Sequence, residues 1–443
     1  MRTDAEDCTV LTFSESEYSN RQSAFLGELP DNSLVLIPTN PKSVRSNDTH
    51  YPFRANSYML YLCGWAESDS VWMASNSEGA WKTSLFVLPR DTKAEIWEGR
   101  RAGPDGAVEN WPVDSAYSVD DLENKITPLI EDSNHVFSIS GLNSKIDSLL
   151  VDSEKEVADP KPYLDALRVI KSNAEIELMR KSAELASQAH ILAMRAGNPG
   201  VGEWHLQSVI ESCFASNRAQ WAYPSIVGGG ENAAILHYNS NHDPVGDGDL
   251  VLIDAGCEVD GYASDITRTW PVNGRFTDAQ REIYELVLKS QIAAIEACQP
   301  GATWVAFHDA ASRVIAQGLI DLGILDCSLD EAIGDPLEFD GPYRNYFMHG
   351  TGHFLGLDVH DVGGGRQGDD DPGPELRSGM IVTVEPGLYF GSWRTDVEIP
   401  ERYAGIGVRI EDDVLITENG PVVLTSSCPK EISEMEAIIG QEG

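Results

Sequence analysis

The spacing of apolar and polar positions divides the chain into two parts of different character. Up to about residue 160, short apolar runs such as Ser33 to Ile37 and Leu85 to Leu88 alternate with helical and turn-rich stretches, the pattern of a small α/β domain. The segment VADPKPYLDALRVIK, Val157 to Lys171, holds two prolines and then becomes amphipathic, which places a boundary there and predicts domains at 1–165 and 166–443. From Ser172, a candidate N-cap, apolar residues recur at helical spacing until Asn198-Pro199-Gly200, and after Trp204 a second helix runs towards Phe214. The same order returns roughly a hundred residues later: a helix through Ile283, Val287 and Ile292, then Pro300-Gly301, Trp304 and an amphipathic segment to Leu319. Two like halves are expected within the second domain.

Between the two helix pairs lies LVLIDAGCEVDGYASDITRTWP, Leu250 to Pro271, whose pattern is that of a β-hairpin with Asp260-Gly261 at its tip. A two-residue turn there sets Val259 opposite Tyr262 and, counting back, Asp254 opposite Thr267. Asp265, two residues from Thr267, then shares a face with Asp254 as a diagonal pair, bases about 7–8 Å apart or less. Two carboxylates so placed repel each other, and the arrangement calls for a cation.

At 443 residues the chain is long enough for two domains with separate cores. No apolar run reaches the length of a membrane helix, and the acidic start MRTDAEDCTV is unlike a signal peptide, so an intracellular, cytoplasmic protein without a membrane partner is expected. Seven scattered cysteines, odd in number and without a CxxC pair, argue for free buried thiols and against a disulfide framework or zinc ribbon. Acidic residues outnumber basic ones 71 to 32, a net charge of −39. Such a field excludes nucleic acid as a partner, because phosphate binding needs cationic patches.

Charge also concentrates further candidates. FMHGTGHFLGLDVHD, Phe347 to Asp361, holds His349, His353 and His360, three of the chain's ten histidines. Its glycines discourage the helix an HExxH zinc site requires, and the glutamate of that motif is missing. Two apolar strands each deliver one glutamate at an end: Glu385 in MIVTVEPGLYF, with Pro386 ending regular pairing, and Glu411 in GIGVRIEDDVLI. Arg409, two residues before Glu411, shares its face and can orient the carboxylate.

The ordered set ILHY (Ile235 to Tyr238), LIDAG with SDITRT, HGTGHFLGLDVHD, TVEPGLY and GIGVRIEDD resembles the proline-specific metallopeptidases of the pita-bread fold, most closely the Xaa-Pro aminopeptidases. The resemblance runs from about Tyr51 onward and includes AEIWEGRRAGPDGA at Ala94 to Ala107. It implies an α/β (α+β) architecture: a pita-bread catalytic domain with pseudo-twofold halves behind a smaller α/β N-terminal domain. By the resemblance Asp254 chelates one of two divalent ions, Asp265 and Glu411 bridge them, and His353 with Glu385 completes the other. His237, His349, His360 and Arg409 take the remaining catalytic positions, and Tyr389 is the active-site tyrosine. The relatives assemble as tetramers in which a first-domain tryptophan, here Trp97, approaches a neighbour's active site; a homotetramer or dimer is therefore expected. Two departures bear on substrate-end recognition and assembly: the acidic, glycine-rich loop GGGRQGDDDPGPE, where only Arg366 matches the relatives' arginine, and the segment before Tyr51.

Four carboxylates and one imidazole form a hard, oxygen-rich set suited to Mn²⁺, with Co²⁺ or Zn²⁺ as substitutes. Two such ions acidify a shared water and polarise a carbonyl, the chemistry of amide hydrolysis. Glu385 is the expected proton shuttle, and His237 and His360 the donors to substrate oxygens. The expected substrate is a peptide with proline in second position. Alternatives are a prolidase confined to Xaa-Pro dipeptides, with phosphotriester hydrolysis as a side activity, and a binding module without catalysis. The complete ligand set counts against the last, and the large first domain against a methionine aminopeptidase. The charge generates a prediction of its own: screening shortens from about 10 Å at 0.1 M salt to about 3 Å at 1 M, so the thermal unfolding midpoint should rise over that range. A midpoint unchanged or lower in molar KCl, with bound metal held constant, would contradict it.

Overall fold

The apolar runs of the first part become the central strands of a six-stranded mixed sheet, in the order Ser115–Ser118, Lys82–Val87, Val71–Ser75, Ser33–Pro38, His135–Ser138, Val157–Ala158. Ser33–Pro38 is buried along its whole length, antiparallel to Val71–Ser75 and parallel to His135–Ser138. Its Leu34 and Leu36 share a core with Ile126 and Ile130 of the helix Leu122–Asp132 and with Ile146 and Leu150 of the helix Ser144–Asp152. This computed structural model describes residues 11–441 except 336, 339, 365 and 367–370. The chain folds as two units, which meet in sequence between Arg168 and Val169. No helix among the described residues is long and apolar enough to cross a membrane. Six cysteines are free, and Cys8 lies outside the described residues.

In the second unit the repeated pattern becomes a repeated structure. Ser172 caps the helix Asn173–Ala196 and Thr277 caps Asp278–Ala297, each in a reciprocal capping box, with Glu175 and Gln280 respectively. After each Pro-Gly turn comes a second helix, Glu203–Ser216 or Trp304–Asp321. Each helix pair is followed by a three-stranded antiparallel sheet. The first is Ile226–Gly229, Leu250–Asp254 and Thr267–Pro271; the second is Ile381–Val384, Asp412–Thr417 and Gly420–Val423. These are the pseudo-twofold halves that the spacing implied. They meet where the segment Arg409 to Glu411 runs beside Thr267 to Thr269: Glu411 N–H donates to Thr267 O at 3.1 Å, and Arg409 N–H and the Thr269 hydroxyl bond at 3.2 Å.

The hairpin register is the one counted from the sequence, with Val259 opposite Tyr262 and Asp254 opposite Thr267. Asp260 and Gly261 both have positive φ, 48° and 86°, as a two-residue turn matched to strand twist requires. The two strands are not continuous, however. Ladder pairing stops around Ala255-Gly256 and Ser264 to Ile266, and the outer part, Cys257–Val259 with Tyr262–Ala263, joins a separate sheet with Gln220–Trp221. Only glycine fits at 256, since the facing backbone passes so close that a Cβ there would lie 1.7 Å from Ser264 O. Asp265 therefore sits outside the ladder, and its amide donates to the Asp413 carboxylate at 3.1 and 3.3 Å. Likewise Arg409 and Glu411 do not share one strand: Gly407–Arg409 ends before Glu411, and Asp412–Thr417 begins after it.

One buried cation ties this junction together. Arg268 spends its donors on the carbonyls of Thr267 (2.9 Å), Glu411 (2.6 Å), Cys428 (2.9 Å) and Pro429 (3.1 Å) and on Asp412 Oδ1 at 2.7 Å. The other Asp412 oxygen accepts from Lys430 at 2.6 Å and Gln291 at 2.7 Å. Burial alone would raise the Asp412 carboxyl, but Arg268 and Lys430 outweigh it and hold the group down at about 2. Replacing Arg268 with Met leaves a buried carboxylate short of its main partner, and should cost about 3–5 kcal/mol of unfolding free energy in urea titrations. Because the folded-state pKa lies below the usual ~3.9, the stabilisation by Asp412 is complete above about pH 4 and is lost as the pH falls through about 2. Without Arg268 burial raises the Asp412 carboxyl, so the deficit of Arg268→Met should shrink as the pH falls and the unpaired acid takes up a proton; a deficit that grows on acidification would show that the pair does not set it.

Candidate active site

Strand ends at the junction of the two halves project their acidic side chains into one cavity of about 450 Å³, lined by Tyr223, His237, Asp254, Asp265, His349, His353, His360, Glu385, Arg409 and Glu411. Asp254 is the last residue of its strand, Glu385 follows Val384 just before Pro386, and Asp265 and Glu411 stand in the two breaks. A side chain at such a position can leave the pleat without costing a ladder bond, which is why irregular backbone and acid groups coincide here. Donor atoms of Asp265, His353 and Glu411 lie within 4.8 Å of one another. His353 Nε2 is 3.3 Å from Asp265 Oδ2 and 3.9 Å from Glu385 Oε1.

Arg409 partly balances these acids. It donates to Asp254 Oδ2 at 2.7 Å, to Tyr389 OH at 3.0 Å and to Thr267 Oγ1 at 3.1 Å, and Thr267 in turn donates to Glu411 Oε2 at 2.6 Å. The arginine thus reaches Glu411 through a threonine. Burial, followed by mutual repulsion among the acids, raises the carboxyls of Asp265, Glu385 and Glu411 above their ordinary range. Burial opposes charge on His353, yet Asp265 and Glu385 outweigh it and lift the ring to about 9. A cluster that must borrow protons to be tolerated suits a divalent cation, and the donor set fits one: hard oxygens plus a single imidazole. The imidazole is oriented for it, since His353 Nδ1 donates to Phe354 O at 3.0 Å and leaves Nε2 facing the acids.

The other histidines differ from His353. Burial and Arg409 push the His349 ring down to about 3, so it is neutral. Its Nδ1 lies 2.7 Å from Gly350 O, which can only accept, so Nε2 accepts from Tyr389 OH at 2.7 Å. Arg409, Tyr389 and His349 form one hydrogen-bonded wall, with the Tyr389 hydroxyl held up at about 12 by burial. The His360 ring stacks edge-on to His353 with centroids 4.2 Å apart and is lowered by burial and by His353. His237 lines the same cavity. Trp97 stands in the first unit, on the helix Thr92–Glu98, and is 88% exposed. Arg366 donates to the carbonyls of Asp371 and Leu337 and borders a second, smaller cavity.

Sequence reasoning missed several of the groups that hold the site. Tyr223 OH lies 2.6 Å from Asp254 Oδ1 and also contacts Asp265 Oδ1, so one phenol links the two aspartates. Its segment carries no periodic signal. Thr267 lies inside the SDITRT motif, where the sequence gives it only a place in the hairpin register, and nothing in the sequence sets Asp413 apart from the other acids.

Comparison with known proteins agrees with this geometry. Residues 177–418 match Metallopeptidase family M24, and residues 18–137 match the aminopeptidase P N-terminal domain. The Xaa-Pro aminopeptidase of Haemophilus influenzae is 41% identical over 429 residues, covering 96% of this chain and 97% of that protein. The Xaa-Pro aminopeptidase of Escherichia coli is 40% identical over 442 residues, covering 96% and 98%. Among solved structures, aminopeptidase PepP of Pseudomonas aeruginosa superposes with a TM-score of 0.90 at 39% identity, over 97% of this chain and 98% of that one. Aminopeptidase P from E. coli with the inhibitor Pro-Leu does so at 0.90 and 40%, over 96% and 98%. The chain belongs to metallopeptidase family M24, among the two-domain, pita-bread Xaa-Pro aminopeptidases.

Proposed function

We propose that this chain is a Xaa-Pro aminopeptidase that releases the first residue of peptides with proline second, using two divalent ions, Mn²⁺ foremost, with Co²⁺ or Zn²⁺ as substitutes. The observation that carries this reading is the convergence of Asp254, Asp265, Glu385, Glu411 and His353 on one cavity. Those five residues would hold the ions, which when bound acidify a water and polarise the scissile carbonyl. The protein does the rest. Glu385 takes the proton of the attacking water and returns it to the departing proline nitrogen. His360 and His237 donate hydrogen bonds to substrate carbonyl oxygens, where loss of one donor typically costs about 10²–10³ in rate. Arg409 and Tyr389 fix Asp254 and His349 around the substrate. Proline offers no amide hydrogen and has a fixed φ, so a pocket shaped for its ring selects it without needing that donor. Exposure of Ile96 and Trp97, 75% and 88%, supports their use as a contact with a second copy in a tetramer or dimer, near that copy's active site.

Two measurements test the assignment. With Mn²⁺ present, Xaa-Pro-Yaa and longer Xaa-Pro peptides should be cut after the first residue, Xaa-Pro more slowly, and Xaa-Ala-Yaa and a phosphotriester hardly at all. Cleavage of the dipeptide alone would make the protein a prolidase, efficient cleavage of Met-Ala-Yaa would make it a methionine aminopeptidase, and a loaded site that cuts no peptide would leave a binding module. The second separates ligand from donor: His353→Ala should lose metal by elemental analysis, whereas His360→Ala should keep both ions and lose about 10²–10³ in turnover. The opposite pattern would reverse the two roles.

A further inference from the structure

The histidine segment of the active site is a partition with space on both sides. Gly350 borders the active-site cavity and also a second cavity of about 200 Å³, whose wall includes His308, Arg344 and Thr351. A thin wall between two cavities has few neighbours to hold it by packing, and a Cβ built on Gly350 would meet nothing within 4 Å. It has to be held by hydrogen bonds. Arg344 grips the carbonyls of Met348 at 2.7 Å and His349 at 2.8 Å, and at the far end His353 is pinned by Thr383 through bonds of 3.0 and 2.8 Å. Between these two anchors the side-chain tie is His308, on the helix Trp304–Asp321, whose Nδ1 lies 2.7 Å from the Thr351 hydroxyl.

We infer that His308 is a positioning residue for the peptidase reaction, acting through Thr351 to set the wall that carries His349 and that holds the backbone of Glu385. Thr351 is buried and lies midway between His349 and His353, and its carbonyl accepts the Glu385 amide at 2.8 Å. One hydrogen bond therefore reaches the proton shuttle through a single backbone contact. The His308 ring also sits 5.8 Å from Phe347, which packs edge-on against His349 at 4.9 Å, so the same residue supports the wall from behind. Burial, aided by Arg344, holds His308 neutral, with its pKa lowered to about 3. A neutral ring keeps the bond over the working pH range and adds no charge near the acidic cluster. His349 and His353 each have an anchor of their own, in Arg344 and Thr383, so loss of the His308 bond acts on the stretch between them and, through the Thr351 carbonyl, on Glu385.

This inference rests on the aminopeptidase reading, and the test keeps the two apart, because failure of the wild-type protein to cut Xaa-Pro-Yaa would sink that reading alone. The variants are His308→Phe and Thr351→Val, which remove the bond, with His308→Asn and Thr351→Ser, which can retain it. Misplaced catalytic groups commonly cost up to about 10²-fold, so His308→Phe and Thr351→Val should each lower kcat on Xaa-Pro-Yaa by about 10–100-fold, with KM changed by less than about threefold. Manganese stoichiometry at saturation and the thermal midpoint should match the wild type. The conservative variants should recover most of the turnover. Because both changes remove one bond, the double variant His308→Phe/Thr351→Val should be no slower than the slower single variant. Wild-type kcat in Thr351→Val would overturn the inference. So would multiplied losses in the double variant, or conservative variants as slow as the others, which would make His308 a packing residue only.

Discussion

Like charge confined in a buried space is the constraint on which the rest of this structure depends. Asp254, Asp265, Glu385 and Glu411 face one cavity, and Asp265 and Glu411 are almost wholly buried. Left to itself, such a group would recruit protons or spring apart. The protein instead supplies Arg409 on one side, the His353 ring on another and a geometry that a divalent cation can complete. The second layer follows from that need. Tyr223 spans the two aspartates, Thr267 links the arginine to Glu411, and the Asp413 carboxylate fixes the Asp265 backbone.

The pita-bread architecture makes this confinement possible because it brings two half-sites together. Each half has its own helix pair and its own three-stranded sheet, and the acids come from the places where those sheets stop. Arg268, which bonds to backbone on both sides of the junction and to Asp412, holds the halves in register at the point where Asp265 and Glu411 must face each other. Ordinary strand pairing would have sealed the acids into ladders. Pro386, with no amide hydrogen, is the local device that prevents it beside Glu385, and Gly256, with no room for a side chain, lets the backbone facing it pass close beside Asp265.

Division of labour among the histidines has an equally local cause. His349 and His353 lie four residues apart in one segment, yet one is lowered to about 3 and the other raised to about 9. Both are buried. The difference lies in their neighbours: His349 faces Arg409 and accepts from Tyr389, whereas His353 faces Asp265 and Glu385. A ring beside a cation and a hydroxyl serves as an acceptor in the wall; a ring beside two acids presents Nε2 as a ligand.

Much of this was determined by the sequence itself. Hydrophobic spacing and capping residues defined the repeated helices, because helix amphipathicity is a local, periodic property. The Asp260-Gly261 turn set the hairpin register to the residue, because only certain residue types accept its backbone angles. The acids and histidines were legible as motifs because strand-end carboxylates and clustered imidazoles have few structural reasons to exist. Tertiary structure alone decided the breaks in the ladders, the reach of Arg409 through Thr267, and the roles of Tyr223, Asp413 and His308. Each of these depends on which backbone or side chain lies across a gap of about 3 Å from a segment distant in sequence, and a hydrogen bond at that range leaves no trace in residue spacing.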